Sequence, residues 1–353
     1  MLFGTACTIL SFGLRKFFAL SALFVVVSAT AFAGRGDKAG TAAATELLIP
    51  IGAEAIALGG SSLATVTGIE AMYWNPAGIV RASSSTNAMF SHMSYVADIG
   101  VDYGAVSTNI PEVASVAIGV KSLSFGKIPV TTEDYPDGTG KMASPAFVML
   151  SGAVSRLITD RIALGVSATA IFENMEKVSA TGIAFSFGLQ YAGLGGVDGL
   201  SVGVVVNNIG PAMKFEGDGL QRIGQVDDVL RPPTSYTIEA ASNDLPSTID
   251  VGLGYIAILS EREQVTLTTV FRNNNYSDDE YDFGAEVTYD HVFALRGGYS
   301  AAPQSEGGEY IFGFSAGIGV RARIEGIDLS VDYAYRGARY FGGNSVVGIR
   351  ASF

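Results

Sequence analysis

The sequence predicts an all-β fold, a transmembrane antiparallel β-barrel of about 14 strands with an N-terminal plug (hatch) segment. Three observations predict it: an export signal at one end with an aromatic residue at the other, a high apolar content without a spanning helix, and a two-residue alternation of side chains. Hydrophobic residues make up 48% of the chain and charged residues 16%. After the predicted export signal, no apolar run is long enough for a transmembrane helix. A closed barrel is the other backbone structure that satisfies its own hydrogen bonds in a bilayer.

The N-terminus is typical of a secretory signal peptide over residues 1–33. Arg15 and Lys16 precede an apolar run at 17–28, and Ala31 and Ala33 provide the small residues that predict cleavage before Gly34. A transmembrane anchor is the alternative, but the apolar run is short for a bilayer span. At the other end, the alternating last strand finishes on Phe353, which resembles the signal that barrel-assembly machinery recognises.

Composition excludes several functions. The only cysteine is Cys7, inside the predicted signal, so the mature chain would have no disulfide, thiolate nucleophile or cysteine-bound metal. Without Arg15 and Lys16, 20 basic residues remain against 34 acidic ones, a net charge of −14. Such a surface repels nucleic acid, and we predict no nucleic-acid partner.

Period-2 alternation places strands over residues 86–353. In 161–172 and 327–335, large apolar residues alternate with small or polar ones, which indicates strands whose bulky face contacts lipid. A soluble sandwich would also alternate, but the bulky face is too abundant and the opposite face too rich in glycine. The predicted strands lie near 86–96, 99–110, 113–125, 144–156, 161–173, 180–192, 199–208, 248–259, 263–273, 281–290, 292–300, 309–322, 326–335 and 344–353.

Connection lengths predict the orientation of this barrel. Most even-numbered connections are short and most odd-numbered ones are longer and polar, as expected for periplasmic turns and outer loops. The first and fifth connections are short for outer loops. The pattern places both termini in the periplasm.

Residues 34–85 do not alternate as barrel wall does. The stretch 51–58 predicts a short helix that Gly59 and Gly60 end, and Pro76 excludes a strand ladder around it. Apolar residues and the only tryptophan, Trp74, argue against a free tail. We therefore expect a plug inside the barrel.

Three stretches, 51–66, 70–79 and 125–134, resemble the PorV/PorQ family of FadL-like outer-membrane barrels. The most specific piece is the hatch motif Trp74-Asn75-Pro76-Ala77-Gly78. The resemblance implies a secretion-associated barrel that works with a type IX translocon and its cargo. A passive FadL-like transporter of hydrophobic small molecules is the alternative, and a structural barrel with a filled lumen is the third. Each implies outer-membrane lipid as a partner.

The sequence predicts neither an enzyme nor a cofactor. His92 has Ser91 and Ser94 nearby, but neither histidine lies in a nucleophile motif. Acidic residues 278–280 and Asp282 do not have the spacing of a calcium loop. Seven charges are expected to face the lumen, where they either line a polar path or, as we favour, pair with one another or with the plug: Asp250, Asp282, Glu286, Arg296, Asp328, Asp332 and Arg350.

Overall fold

The computed structural model describes residues 14–22, 38–224, 234–305 and 310–353. Residues 14–22 are helical. Cys7 and the predicted cleavage site before Gly34 lie outside the described residues. In the described ranges, no helix has both the length and the apolar character to cross a membrane.

Fourteen strands of the described chain form one closed antiparallel barrel. Each strand pairs with its neighbours in the chain, and the last strand closes the barrel against the first. The strands are β1 (Thr86–Ser94), β2 (Gly100–Ile110), β3 (Ala114–Ser124), β4 (Ala146–Leu157), β5 (Ile162–Met175), β6 (Val178–Ala192), β7 (Leu200–Ile209), β8 (Thr248–Ile258), β9 (Glu263–Asn274), β10 (Glu280–Tyr289), β11 (Phe293–Ala301), β12 (Phe312–Ile324), β13 (Ile327–Ala338) and β14 (Asn344–Ser352). Every predicted strand is present, and each end lies within three residues of the expected position.

The two faces of the wall follow the predicted alternation. In β5, Leu164 and Val166 are 41% and 44% exposed on the outer face, whereas Ala163 and Ile171 are fully buried on the lumen face. Branched and aromatic side chains favour a pleated strand, and here they stand outward where lipid would surround them. The predicted outward orientation of the bulky face is confirmed, but the lumen face also carries large residues such as Ile171 and Met149.

The longer connections lie at one end of the barrel, which we take as the outer end. Two of them contain small hairpins that the alternation did not predict. Ile128–Pro129 pairs with Met142–Ala143 between β3 and β4, and Gln221–Gly224 pairs with Thr234–Thr237 between β7 and β8.

A bulge lies near the outer end of β7. Phe185 pairs with Ile209 and Phe187 with Val206, so β7 has one extra residue there. Asn208 takes a left-handed backbone conformation, with φ of 56°. Its backbone N–H donates to Ser186 Oγ at 3.2 Å. The bulge places Asn207 and Asn208 both against the lumen.

Residues 43–81, the inner segment, lie inside the barrel. The segment contains α1 (Ala53–Ala57), α2 (Ala71–Trp74) and four 3₁₀ turns at Thr45–Leu48, Ser62–Ala64, Gly68–Glu70 and Pro76–Arg81. Helix α1 ends before Gly59 and Gly60, whose φ angles of 69° and 82° suit glycine. The short helix expected over 51–58 is therefore present as α1.

The inner segment runs from the outer end of the barrel to the periplasmic end. Ala43 N–H donates to Asp244 O at 2.9 Å, in the long connection after β7. At the other end, Arg81 Nη2 donates to Arg161 O at 2.7 Å, in the turn before β5. The periplasmic location of both termini stays a prediction, because the same connection lengths define the outer end here; the inner segment itself begins at the end with the longer connections. Strand counting alone could not place a segment that forms no strand.

Candidate functional site

The five residues of the predicted hatch motif are buried together where the inner segment meets the wall. Asn75 is fully buried, and its side chain makes three hydrogen bonds. It donates to Leu63 O at 3.0 Å and to Leu189 O at 3.1 Å, and it accepts from Ala77 N–H at 3.1 Å. The motif therefore joins two turns of the inner segment to strand β6.

Wall glycines make room for this motif. A Cβ at Gly165 would collide with the backbone of Pro76 and Ala77, and a Cβ at Gly188 would collide with Asn75 Oδ1. On the adjoining strand β4, opposite Gly165, Ser155 Oγ donates to Ala77 O at 2.9 Å. Gly165 and Gly188, on neighbouring strands β5 and β6, thus form a seat for the backbone of Pro76 and Ala77 and for the side chain of Asn75.

A second seat lies on β10, β11 and β12. Ser300 Oγ donates to Gly59 O and Ser315 Oγ donates to Ala57 O, both at 3.1 Å. A Cβ at Gly298 would collide with the backbone of Leu58 and Gly59. The end of α1 and the turn after it are therefore fixed against the wall, and they form a partition across the lumen.

Below the partition, two arginines of the wall bind two glutamates of the inner segment. Arg296 contacts Glu54 at 3.1 Å and Asp332 at 2.6 Å. Arg350 contacts Glu70 at 3.2 Å and Asp332 at 3.1 Å, and it also contacts Glu54. Charges that the sequence placed in the lumen therefore pair with one another and with the inner segment, as favoured. Asp328 differs, because it is more exposed and lies 3.7 Å from Arg323.

The pKa values of the two glutamates in this network are shifted in opposite directions. Burial opposes the charged form of Glu54, but Arg350 and Arg296 outweigh it and lower the pKa of Glu54 to about 2. Burial raises the pKa of Glu70 to about 7, against the opposing effect of Arg350, and the charge of Glu54 adds to the rise. Glu70 also accepts a hydrogen bond from Ala55 N–H at 3.1 Å.

A cavity of about 590 Å³ lies above the partition, in the outer half of the lumen. One wall is apolar and aromatic. Phe125 and Phe147 stack edge to face, with ring centroids 4.8 Å apart, and Met149 lies beside them. Met72 and Trp74 of the inner segment line the same cavity. Such a lining suits a hydrophobic ligand of small size.

The opposite wall of the cavity is polar. Arg272 Nε lies 3.2 Å from Asp250 Oδ2, and its Nη1 lies 3.1 Å from Glu280 Oε2. The sequence did not single out Arg272. A signal was present, because Thr266, Thr268 and Arg272 share one face of β9 and the alternation places that face inward.

A second, smaller cavity of about 260 Å³ lies below the partition. It is lined by Glu54, Glu286 and Arg296 together with residues of the turn between β10 and β11. The partition from Ala57 to Ser61 stands between the two cavities.

The remaining sequence-predicted residues do not form a catalytic site. His92 Nδ1 lies 2.7 Å from Asp102 Oδ1 on the outer face of the barrel, whereas Ser91 is buried on the lumen face. His291 lies in a turn at the periplasmic end. Glu280 and Asp282, considered for calcium, instead contact Arg272.

Phe353 lies at the seam where the barrel closes. Its carbonyl accepts from the N–H groups of Ser85 and Thr86 at 3.1 and 3.3 Å, and its own N–H donates to Thr86 O at 2.8 Å. The ring is 54% exposed. Recognition of Phe353 by assembly machinery stays a prediction.

Two solved structures of hydrocarbon channels have a similar fold. The monoaromatic hydrocarbon channel CymD has a TM-score of 0.53 and 13% identity, over 87% of this chain and 98% of that one. The toluene transporter TodX of Pseudomonas putida has a TM-score of 0.53 and 13% identity, over 84% and 95%. No protein-family model matches the chain, and no curated protein matches it.

The predicted closed barrel of 14 antiparallel strands is confirmed, and these two channels share its fold. The closed barrel with its apolar outer face, together with this shared fold, makes the chain an outer-membrane protein.

Proposed function

We propose that the protein is a passive outer-membrane channel for hydrophobic small molecules. In this proposal the inner segment is the plug, and the outer cavity is the binding site. The observation that carries it is the aromatic wall of the 590 Å³ cavity, which lies between the barrel and the inner segment. The similar structures CymD and TodX are described as a hydrocarbon channel and a toluene transporter, which supports the same class of solute.

Filling the cavity tests the proposal. Ser151 lines the cavity from β4, and a Ser151→Phe variant would occupy the space where the ligand binds. Leu150 is the next residue, 47% exposed on the outer face, so Leu150→Phe adds a ring on the lipid side of the same strand. We expect Ser151→Phe to reduce toluene uptake severalfold in cells without other hydrocarbon channels.

The control distinguishes a blocked path from a damaged barrel. Leu150→Phe should take up toluene as the wild type does. Equal uptake by all three proteins, at equal amounts in the outer membrane, would contradict a route through this cavity.

A secretion-associated role is the second candidate. The resemblance of 51–66, 70–79 and 125–134 to PorV/PorQ proteins supports it. The hairpin in the long connection after β7 adds an exposed apolar surface, because Ile223 is 79% and Tyr236 45% exposed there. We infer that cargo or a type IX translocon would contact this hairpin.

Purification in mild detergent separates the two candidates. Mass spectrometry of the co-purified proteins and lipids would identify a translocon or cargo if the secretion role holds. If the protein instead purifies without other proteins and with a bound hydrophobic molecule, the channel function would be favoured.

A further inference from the structure

At the polar wall of the outer cavity, carboxylates surround one arginine. Arg272 is the cation at its centre, with Asp250 at 3.2 Å, Glu280 at 3.1 Å and Asp282 at 3.8 Å. Three carboxylates therefore share one guanidinium. Asn207 Nδ2 adds a single long donation to Asp250 at 3.3 Å.

Two of these carboxylates have buried oxygens without a hydrogen-bond partner among the described residues. Asp250 lines the cavity, is 2% exposed and has no hydrogen-bond partner at Oδ1 within the described chain. Asp282 lies outside the lining, is 1% exposed, and its Oδ2 has no hydrogen bond there but lies 3.8 Å from Arg272 Nη1. The hydroxyl of Tyr310, which also lines the cavity, is buried without a partner as well. Buried acceptors of this kind are stabilised when a donor reaches them.

The cationic side chains that line the cavity already contact other groups, so few of their N–H donors remain for an anionic ligand. Lys121 Nζ donates to Glu46 O at 2.7 Å and Ile49 O at 2.5 Å, so its ammonium is occupied by the inner segment. The guanidinium of Arg336 lies 3.6 Å from the ring centroid of Phe312. Arg336 is thus the cation that a carboxylate would have to use.

We propose that the cavity selects hydrophobic molecules that carry a donor head group, with a primary amine preferred over an alcohol and both preferred over a carboxylate. The amine would lie at Asp250 and Glu280, and its apolar tail would lie on Phe125, Phe147 and Met149. This inference rests on the proposed function, because it names the solute class of the same cavity. A charged donor strengthens a hydrogen bond to a carboxylate, and a carboxylate ligand would meet repulsion there.

Trp74 provides the measurement, since it is the only tryptophan and it lines the cavity. Its emission would be titrated with octylamine, octan-1-ol, octanoate and octane, with the protein in amphipol and empty amphipol as the blank. We expect octylamine to bind about tenfold or more tighter than octanoate at neutral pH. The Glu280→Gln and Asp250→Asn variants should lose this preference and keep the affinity for octan-1-ol, which also shows that they are folded.

The matched control is Glu112→Gln, which neutralises an exposed carboxylate in the turn between β2 and β3. It should bind all four probes as the wild type does. Equal affinities for the four probes would overturn the head-group selection and leave the channel proposal standing. A preference for octanoate that Arg336→Gln abolishes would overturn it as well. Failure of every probe to bind would remove the proposed function, and this inference with it.

Discussion

At the residue scale, the wall glycines decide how closely the inner segment can approach. At Gly165 the backbone of Pro76 and Ala77 occupies the position of a side chain, and backbone cannot move as the end of a flexible side chain can. At Gly188 an added Cβ would lie 2.9 Å from Pro76 Cδ. Adding one methyl group at either position would therefore push the hatch motif away from the wall.

We expect Gly165→Ala to displace the motif and to expose Trp74. Overpacking at a fixed contact costs about 1–3 kcal/mol, so the inner segment should unfold at a lower urea concentration than in the wild type. Quenching of Trp74 emission by acrylamide measures the displacement, and far-UV circular dichroism follows the barrel separately. The matched control is Gly104→Ala on β2, because a Cβ there meets no atom within 4 Å. Unchanged quenching in Gly165→Ala would show that the motif does not depend on this seat.

The contacts of individual residues were the features that the sequence predicted least well. The small face of β5 and β6 was readable, but nothing in the sequence distinguished Gly165 and Gly188 from a lumen-facing glycine with ordinary contacts, such as Gly348, where an added Cβ would lie 3.6 Å from Ala53. Likewise, alternation could place Arg272 inside the barrel without revealing its three carboxylate neighbours. Those neighbours come from strands β8 and β10, and their heights depend on the stagger between strands.

At the scale of elements, alternation located the strands well because each strand has an unbroken lipid face. A shift by one residue would turn that whole face into the lumen, so the pattern defines each strand closely. The bulge at Asn208 breaks the rule, and its left-handed backbone was not readable from the alternation. For the partition from Ala57 to Ser61, the sequence predicted only that a helix ends at Gly59.

The ionic contacts between the inner segment and strands β11, β13 and β14 predict a pH dependence. The folded pKa of Glu70, about 7, is above its ordinary value of 4.5. Between these values the folded state keeps a proton that the unfolded state releases, so the inner segment loses stability as the pH rises from 4.5 to 7. Glu54 acts in the opposite sense, because its lowered pKa makes its contribution disappear as the pH falls from 4.5 towards 2.

Glu70→Gln tests the upper part of this dependence. A glutamine can still accept from Ala55 N–H through its single Oε1, but its Nε2 cannot accept from Arg350, and it has no charge to desolvate. At pH 8 the variant should be more stable than the wild type by roughly 1 to 3 kcal/mol, and near pH 4.5 the two should be equal. Urea unfolding followed by Trp74 emission measures both. Exposed Glu112→Gln is the control, and a loss of stability in Glu70→Gln at pH 8 would mean that the ion pair with Arg350 outweighs burial.

At the scale of the whole molecule, the fold implies that the inner segment starts at the outer end and leaves at the periplasmic end. The sequence predicted the barrel and the end of the barrel at which each connection lies. The length of a connection can be read directly from the residues between two predicted strands. The direction of the inner segment depends on contacts such as that between Ala43 and Asp244, which are 201 positions apart in the chain.

Single cysteines can test this arrangement, because Cys7 is the only natural one and Cys7→Ser removes it. In that background, Asp137→Cys lies in the connection between β3 and β4, Thr41→Cys just before the inner segment, and Glu261→Cys in the turn between β8 and β9. All three positions are exposed. A membrane-impermeant maleimide should label Asp137→Cys and Thr41→Cys on intact cells and should label Glu261→Cys only after lysis. If Thr41→Cys also required lysis while Asp137→Cys did not, the barrel orientation would hold but the inner segment would enter from the periplasm. The lumen would then be open at its outer end, and the outer cavity would lose the cover that Thr45–Leu48 gives it.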